Sequence, residues 1–211
     1  MIQEVSTGET KLTTLSKIHH PESSFVHWQR NLNIPEAEYT TLSESNLSLK
    51  TEGTTKEIRA FIESELISSS FEPYYLIEDI TFLLQTFSDL AESEKIKFFL
   101  STINNNMCRR FHTDCNELRL LCTYLGPGTL VLPEDAIDRN ALHTGKDNEE
   151  IIINEDKVIY AEPEDVLILK GSLYPGKAVR AAVHRSPTIE ESGAKRLLLR
   201  LDTESFGNYG L

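Results

Sequence analysis

"MCRRFHTDCNELRLLCTYLGPGT", Met107 to Thr129, is the stretch in which the chain changes period. Before it, apolar residues recur at helical intervals. After it, they come in short runs broken by Gly, Pro, Asn and Asp. The same stretch sets His112 and Asp114 two positions apart, just ahead of the apolar "LRLLCTYLG". Side chains alternate across a strand, so residues two apart share a face, with alpha carbons about 6–7 Å from each other. On a strand, both side chains reach one metal ion; the bland reading is a polar, solvent-facing strand.

Downstream, the candidate strands are "CRRFHTD", "LRLLCTYLG", "TLVLP", "EIIIN", "KVIYAE", "DVLILKG", "AVRAAVHR" and "KRLLLRLD", with turn signals at residues 126–128, 154–156, 162–165 and 174–176. Short strands at close, turn-punctuated spacing predict a sandwich or barrel, here a jelly roll. Upstream, Thr54 and Glu57 have capping-box spacing, and Ile58, Phe61, Ile62 and Leu66 follow at helical intervals. A helix over about residues 55–68 is predicted. "YYLIEDITFLLQTFSDLA" predicts a second helix and "SEKIKFFLSTI" a third, stopped by Asn104 to Asn106. Residues 1–53 are rich in Ser, Thr and Glu. There Phe25, Val26 and Trp28 predict a short docking strand that ends near Pro35, and "LSESNLSLKTEGTT" reads as polar loop. The expected fold is α+β. A double-stranded β-helix (jelly-roll) core over 107–211 carries a helical layer, 54–106, packed outside it. Residues 54–211 form one folded unit, preceded by a mostly loop-like segment over 1–53.

A chain of 211 residues is long enough for one sizeable domain, and 39% hydrophobic with 26% charged residues suits a globular protein. The net charge of −12 argues against broad nucleic-acid binding, which needs a positive surface. No run approaches the roughly 18–20 apolar residues of a membrane span, and "MIQEVSTGETKLTT" lacks a secretory signal pattern. The expected location is cytoplasmic. Cys108, Cys115 and Cys122 are expected as reduced, ordinary buried thiols, because C-x6-C-x6-C is not a zinc-site spacing.

Two ligands hold a metal poorly. His184, 70 residues after Asp114 at the end of "AVRAAVHR", is the best third ligand. Two imidazoles and a carboxylate on one octahedral face suit iron(II) and leave open positions. Arg196 and Arg200 follow, four apart on "KRLLLRLD" and so on one face, with Leu197, Leu199 and Leu201 on the other. A guanidinium pointing into a barrel is costly without an anion, and a bound dicarboxylate would supply a bidentate one. The alternative is an exposed strand face paired with the many acids.

The order H-x-D, distal His, then Arg on the next strand resembles the iron(II)- and 2-oxoglutarate-dependent dioxygenases. "FHTD" followed by a strand carrying "CTY" is similar to their prolyl-hydroxylase branch, in which a tyrosine on that strand meets the co-substrate; Tyr124 is the matching position. Over roughly residues 25–202, "FVHWQRNL", "CRRFHTDCNELRLLCTYLGPGTLVLPE", "DVLILKG" and "AAVHRSP…RLLLRLD" together resemble the domain-of-unknown-function family 1826. Members of that family are often encoded near metal-homeostasis genes, which implies a link to metal. This chain departs from the family in carrying Leu130-Val131 after "GPGT", where an aromatic is expected.

The combined expectation is an oxygenase. His112, Asp114 and His184 hold iron(II), Arg196 or Arg200 takes the far carboxylate of 2-oxoglutarate, and Tyr124 assists. The alternatives are a zinc-handling metal protein on the same triad and a degenerate barrel serving as an interaction module. The substrate, a small molecule or a protein, is not legible. Arg119 and Arg185 are assigned to substrate or to the acidic surface, and Trp28 and Gln29 to anchoring the N-terminal segment.

Overall fold

The computed structural model describes residues 13–142, 144–176 and 179–203. His143, the first residue of "AVRAAVHR" that precedes residue 179, and the chain start read for a signal (through residue 12) lie outside them. Two antiparallel sheets organise the chain. The larger runs in the order β1 (Phe25–Trp28), β7 (Val166–Lys170), β4 (Leu118–Leu125), β9 (Arg196–Thr203), β3 (Ile96–Ile103), β2 (Ser48–Gly53). The smaller runs β6 (Ile159–Tyr160), β5 (Leu130–Leu132), β8 (Val183–Arg185). Helices α1 (Glu36–Glu44), α2 (Thr55–Leu66) and α3 (Tyr74–Ala91) precede β4 in the chain, and the one-turn α4 (Asn148–Ile151) lies between β5 and β6. The result is a mixed α/β fold of mainly antiparallel sheets, consistent with a jelly-roll core.

Strand alternation decides which side chains meet. On β9, Leu197, Leu199 and Leu201 join the core shared with Ile58 and Ile62 of α2 and Leu76, Ile80 and Phe87 of α3. Leu198 faces the other way and packs with Leu121, Leu167 and Val131 between the sheets. Arg196, Arg200 and Asp202 share the parity of Leu198, so they too point between the sheets. A third cluster, with Phe111, Leu130, Leu132, Ile151 and Val183, closes the outer side of the small sheet.

The start of α2 follows from the Thr54–Glu57 spacing. Glu57 N donates to Thr54 Oγ1 at 3.3 Å, and Thr54 N donates to Glu57 Oε2 at 2.8 Å. Replacing Thr54 by Ala is expected to cost about 1 kcal/mol. A urea titration should then show a lower midpoint with an unchanged slope; an unmoved midpoint would mean the cap contributes nothing.

The structure corrects four local readings. The expected third helix is the strand β3. Phe98 and Leu100 pack toward the helices, while Phe99 and Ile103 pack between the sheets. A run buried on both faces loses the period-two signal and resembles a helix. "LSESNLSLKTEGTT" is not loop. It carries the end of α1 and the strand β2, which exposes Ser48, Lys50 and Glu52 and buries Leu49 and Gly53. "EIIIN" is not a strand, because Asp147 and Glu150 form a capping box that winds α4. "CRRFHTD" is not a strand either: it forms an isolated bridge from His112 to His184, with a further backbone hydrogen bond from Ser186 N to Cys108 O at 2.9 Å.

Of the three cysteines, only Cys122 is buried; Cys108 and Cys115 are exposed. The N-terminal segment is anchored partly by Trp28, edge-on to Phe82 with ring centroids 6.3 Å apart. Buried polar contacts complete the anchor. Arg30 pairs with Asp79 at 2.7 Å, and Glu164 accepts from Tyr39 Oη at 2.6 Å and Leu32 N at 2.7 Å.

Candidate metal centre

His112 and His184 face each other as a two-bond antiparallel pair. His112 N donates to His184 O, and His184 N donates to His112 O, each at 3.0 Å. Directly opposed residues project to the same side, and here the ring centroids are 4.6 Å apart. The bridge brings together two residues separated by most of the β region.

The ring contacts fix which nitrogen is free. His112 Nδ1 lies 2.9 Å from the Arg110 carbonyl, and His184 Nδ1 lies 3.4 Å from the Ala182 carbonyl. A carbonyl only accepts, so each Nδ1 carries the proton and each Nε2 keeps its lone pair. Both Nε2 atoms turn toward Asp114: His112 Nε2 is 3.7 Å from Oδ1, and His184 Nε2 is 3.3 Å from Oδ2. All three residues offer ligand atoms within 4.8 Å of one another. Two imidazole nitrogens and one carboxylate, with backbone carbonyls holding the imidazoles, fit a divalent transition metal.

Asp114 is held from behind by Arg119 Nη1, while Arg119 Nε donates to Asp202 at 2.6 Å. Asn116 Nδ2 adds a 3.0 Å hydrogen bond to Asp202. Arg119, which the sequence assigned to substrate or surface, thus orients the Asp114 carboxylate. Asp202, opposite Arg119 in register, was missed. Its parity with Arg196 and Arg200 was the available signal.

Burial alone would raise the Asp114 carboxyl. In acid, where the imidazoles are protonated, the hydrogen bond and charge of His184, with the charges of Arg119 and His112, outweigh burial and hold it well below the usual carboxylate range. His112 is lowered, first by burial and then by the neighbouring His184. A carboxylate depressed on folding adds stability that is complete above its unfolded value, about 3.9, and is lost as pH falls from there toward the folded value. The stability difference between the native chain and Asp114→Asn should therefore shrink below about pH 4. Urea midpoints measured between neutral and acid pH test this, and a gap constant over the range would count against it.

The cavity at the triad is small, about 60 Å³. Its walls include His112, His184, Arg119, Arg200, Thr129 and Cys108. The two candidate arginines differ. Arg200 lies over Phe99, 4.9 Å from the ring centroid, with Nε 3.1 Å from Asp202 Oδ2 but not aligned for a hydrogen bond. Arg196 is 1% exposed. Its Nη2 contacts the hydroxyls of Thr123 (3.1 Å) and Thr129 (3.4 Å), and among the described residues its Nε has no hydrogen-bond partner. Among the described residues it has no carboxylate partner, and burial pulls its pKa down to about 10. Thr129 connects it to the wall of the triad cavity. Gly126 makes room where β9 begins: its φ is +80° and a Cβ there would lie 2.0 Å from the Lys195 carbonyl oxygen.

Tyr124 is not in this cavity. It is buried on the helix-facing side of the large sheet, stacked on Tyr39, and donates to Asp79 at 2.7 Å. A β-bulge between Thr123 and Leu125 breaks the register there. Arg185 lies over the Phe111 ring on the outer side of the small sheet, 5.3 Å from the centroid, away from the triad.

A profile of the family described as "Protein of unknown function (DUF1826)" matches residues 9–202. No curated protein matches the sequence. Among solved structures, the fold is similar to the iron(II)/(alpha)ketoglutarate-dependent dioxygenase TqaL, with 14% identity and a TM-score of 0.52, over 92% of this chain and 86% of that one. A Pseudomonas putida prolyl-4-hydroxylase aligns at 11% identity over 98% of this chain and all of that one, with a TM-score of 0.42. Neurospora crassa T7H in complex with alpha-KG aligns at 11% identity over 93% and 79%, with a TM-score of 0.44. At such identities the likeness to TqaL is one of fold. No helix among the described residues is long and apolar enough to cross a membrane.

Proposed function

This chain belongs to the DUF1826 family of proteins of unknown function, and we propose that it is an iron(II)- and 2-oxoglutarate-dependent oxygenase on a double-stranded β-helix. The observation that carries the reading is the His112–Asp114–His184 cluster, with both Nε2 atoms free and turned to one carboxylate. Iron(II) held there with 2-oxoglutarate would supply the oxidising power, through decarboxylation of the co-substrate to succinate by oxygen.

The chain's own residues do the rest. His112 and His184 present neutral nitrogens, and the carbonyls of Arg110 and Ala182 fix their tautomer. Asp114 supplies the negative charge, and Arg119 pairs with it and orients it. Arg196 is the co-substrate anchor rather than Arg200. It is a buried cation with hydroxyls around it and, among the described residues, no anion, and a carboxylate between Thr123 and Thr129 would complete its hydrogen bonding. Tyr124 has no part in the site, because its hydroxyl is on the far side of the sheet and bound to Asp79.

The test uses purified protein with iron(II), 2-oxoglutarate and ascorbate. Expected are stoichiometric iron, 2-oxoglutarate binding in the absence of oxygen, and succinate on admitting oxygen. Stoichiometric zinc with neither 2-oxoglutarate binding nor succinate would overturn the oxygenase reading in favour of a metal-handling protein.

A further inference from the structure

The inner face of the large sheet continues past the small sheet. Phe99 on β3 pairs in register with Lys50 on β2 and with Arg200 on β9, so the three side chains form one row on one face. Lys50 Nζ is 5.4 Å and the Arg200 guanidinium 4.9 Å from the Phe99 centroid. Arg200 pairs next with Leu121, and both line the triad cavity. The row therefore leads from the edge strand β2 to the metal centre. The groove above it is about 310 Å³, with Lys50, Glu52, Lys97, Phe99, Arg200 and Asp202 in its walls. No residue of β2 joins the core between the sheets, and Lys50 and Glu52 are exposed.

The chain carries a net charge of −12, yet among the described residues three cations face two acids here. Asp202 is buried, with Oδ1 bound by Arg119 and Asn116 and Oδ2 3.1 Å from Arg200 Nε, and Glu52 lies opposite Lys97 in register, so Lys50 is the cation of the row left without an acid beside it. Lys50 has no carboxylate partner among the described residues. Two like charges converging on one aromatic ring repel each other unless an anion sits between them.

Resting on the oxygenase reading, we propose that this groove is the substrate subsite and takes an anionic group, carboxylate or phosphate, between Lys50 and Arg200. The apolar part of the substrate lies on Phe99, and the remainder extends toward the triad. The row spans two inter-strand spacings, about 10 Å. That is the reach of a small acid or one acidic side chain. The acidic surface disfavours a nucleic acid.

The probes are N-acetylaspartate and inorganic phosphate, titrated into the full-length chain without metal, with N-acetylasparagine as the neutral control. Calorimetry reads affinity, and amide chemical shifts read location. At least one anion should bind, shift Lys50, Phe99 and Arg200, and outcompete the neutral control; the tighter of the two identifies carboxylate or phosphate. Lys50→Glu should weaken binding by about tenfold or more, the worth of one charge-assisted hydrogen bond, and Lys50→Arg should retain it. The subsite is overturned if both anions bind no better than the neutral control, if Lys50→Glu binds like the native chain, or if the shifts are confined to His184 and Arg196. None of these outcomes touches the iron and succinate results. Loss of those results with intact anion binding would remove the oxygenase reading alone.

Discussion

Asp114→Ala should abolish metal binding and, with it, succinate formation. Asp114 is the one anionic member of the triad, and its carboxylate sits against both Nε2 atoms and the Arg119 guanidinium. Without it, two neutral imidazoles and an unmasked cation remain, an environment that repels a divalent ion. Loss of a partner outside the ligand set commonly costs 10- to 100-fold in affinity, so loss of the ligand itself should exceed about 100-fold. Metal analysis of protein purified without chelators measures this. His27→Ala is the control, because His27 is paired with Asp165 at 2.6 Å and is not part of the triad. If Asp114→Ala retained stoichiometric iron while His27→Ala did too, the metal would lie elsewhere.

Arg196→Met should separate stability from function. Two charge-assisted hydrogen bonds to a co-substrate carboxylate, at roughly 1.5 kcal/mol each, correspond to a loss of about 100-fold in 2-oxoglutarate affinity. Yet the substitution removes a buried guanidinium that, among the described residues, has no carboxylate partner and an unsatisfied Nε. Replacing buried charge by an apolar side chain of similar volume is often neutral or stabilising, so the thermal midpoint should hold or rise. Arg200→Met should retain 2-oxoglutarate binding, because Arg200 lies over Phe99 beside Asp202. Isothermal titration without oxygen, paired with thermal melts, distinguishes these outcomes. A destabilised Arg196→Met that still binds 2-oxoglutarate would transfer the anchor role away from Arg196.

The triad was legible because its members carry local signals: a two-residue spacing in "FHTD" and a histidine ending a late strand before "SP". What brings them together, the paired backbones of His112 and His184, has no signature in either segment. The Leu197, Leu199 and Leu201 face of β9 was read correctly because Arg196 and Arg200 mark the other face, although Leu198 breaks the alternation. On β4, every residue from Leu118 to Tyr124 is buried, so the sequence shows no alternation and hides which face Tyr124 takes. β3 failed as a strand for the same reason, since both its faces are buried. β2 failed for the opposite one: its exposed face is Ser48, Lys50 and Glu52, and its buried face ends in a glycine. Choosing between Arg196 and Arg200 needed the positions of Asp202 and the two threonines, which come from three separate strands or turns.

The triad also joins the two sheets. His184 belongs to β8 of the small sheet and His112 extends that pairing, whereas Asp114 is held through Arg119 and Asp202 to β4 and β9 of the large one. An ion bound by all three would be a cross-tie between layers, and thermodynamic reciprocity then applies: whatever strengthens cohesion of the layers strengthens ion affinity by the same factor, and the converse. A substitution that loosens Leu198 against Val131 would register as weaker metal retention although neither residue is a ligand. Loss of the ion would in turn be felt as a softer sandwich.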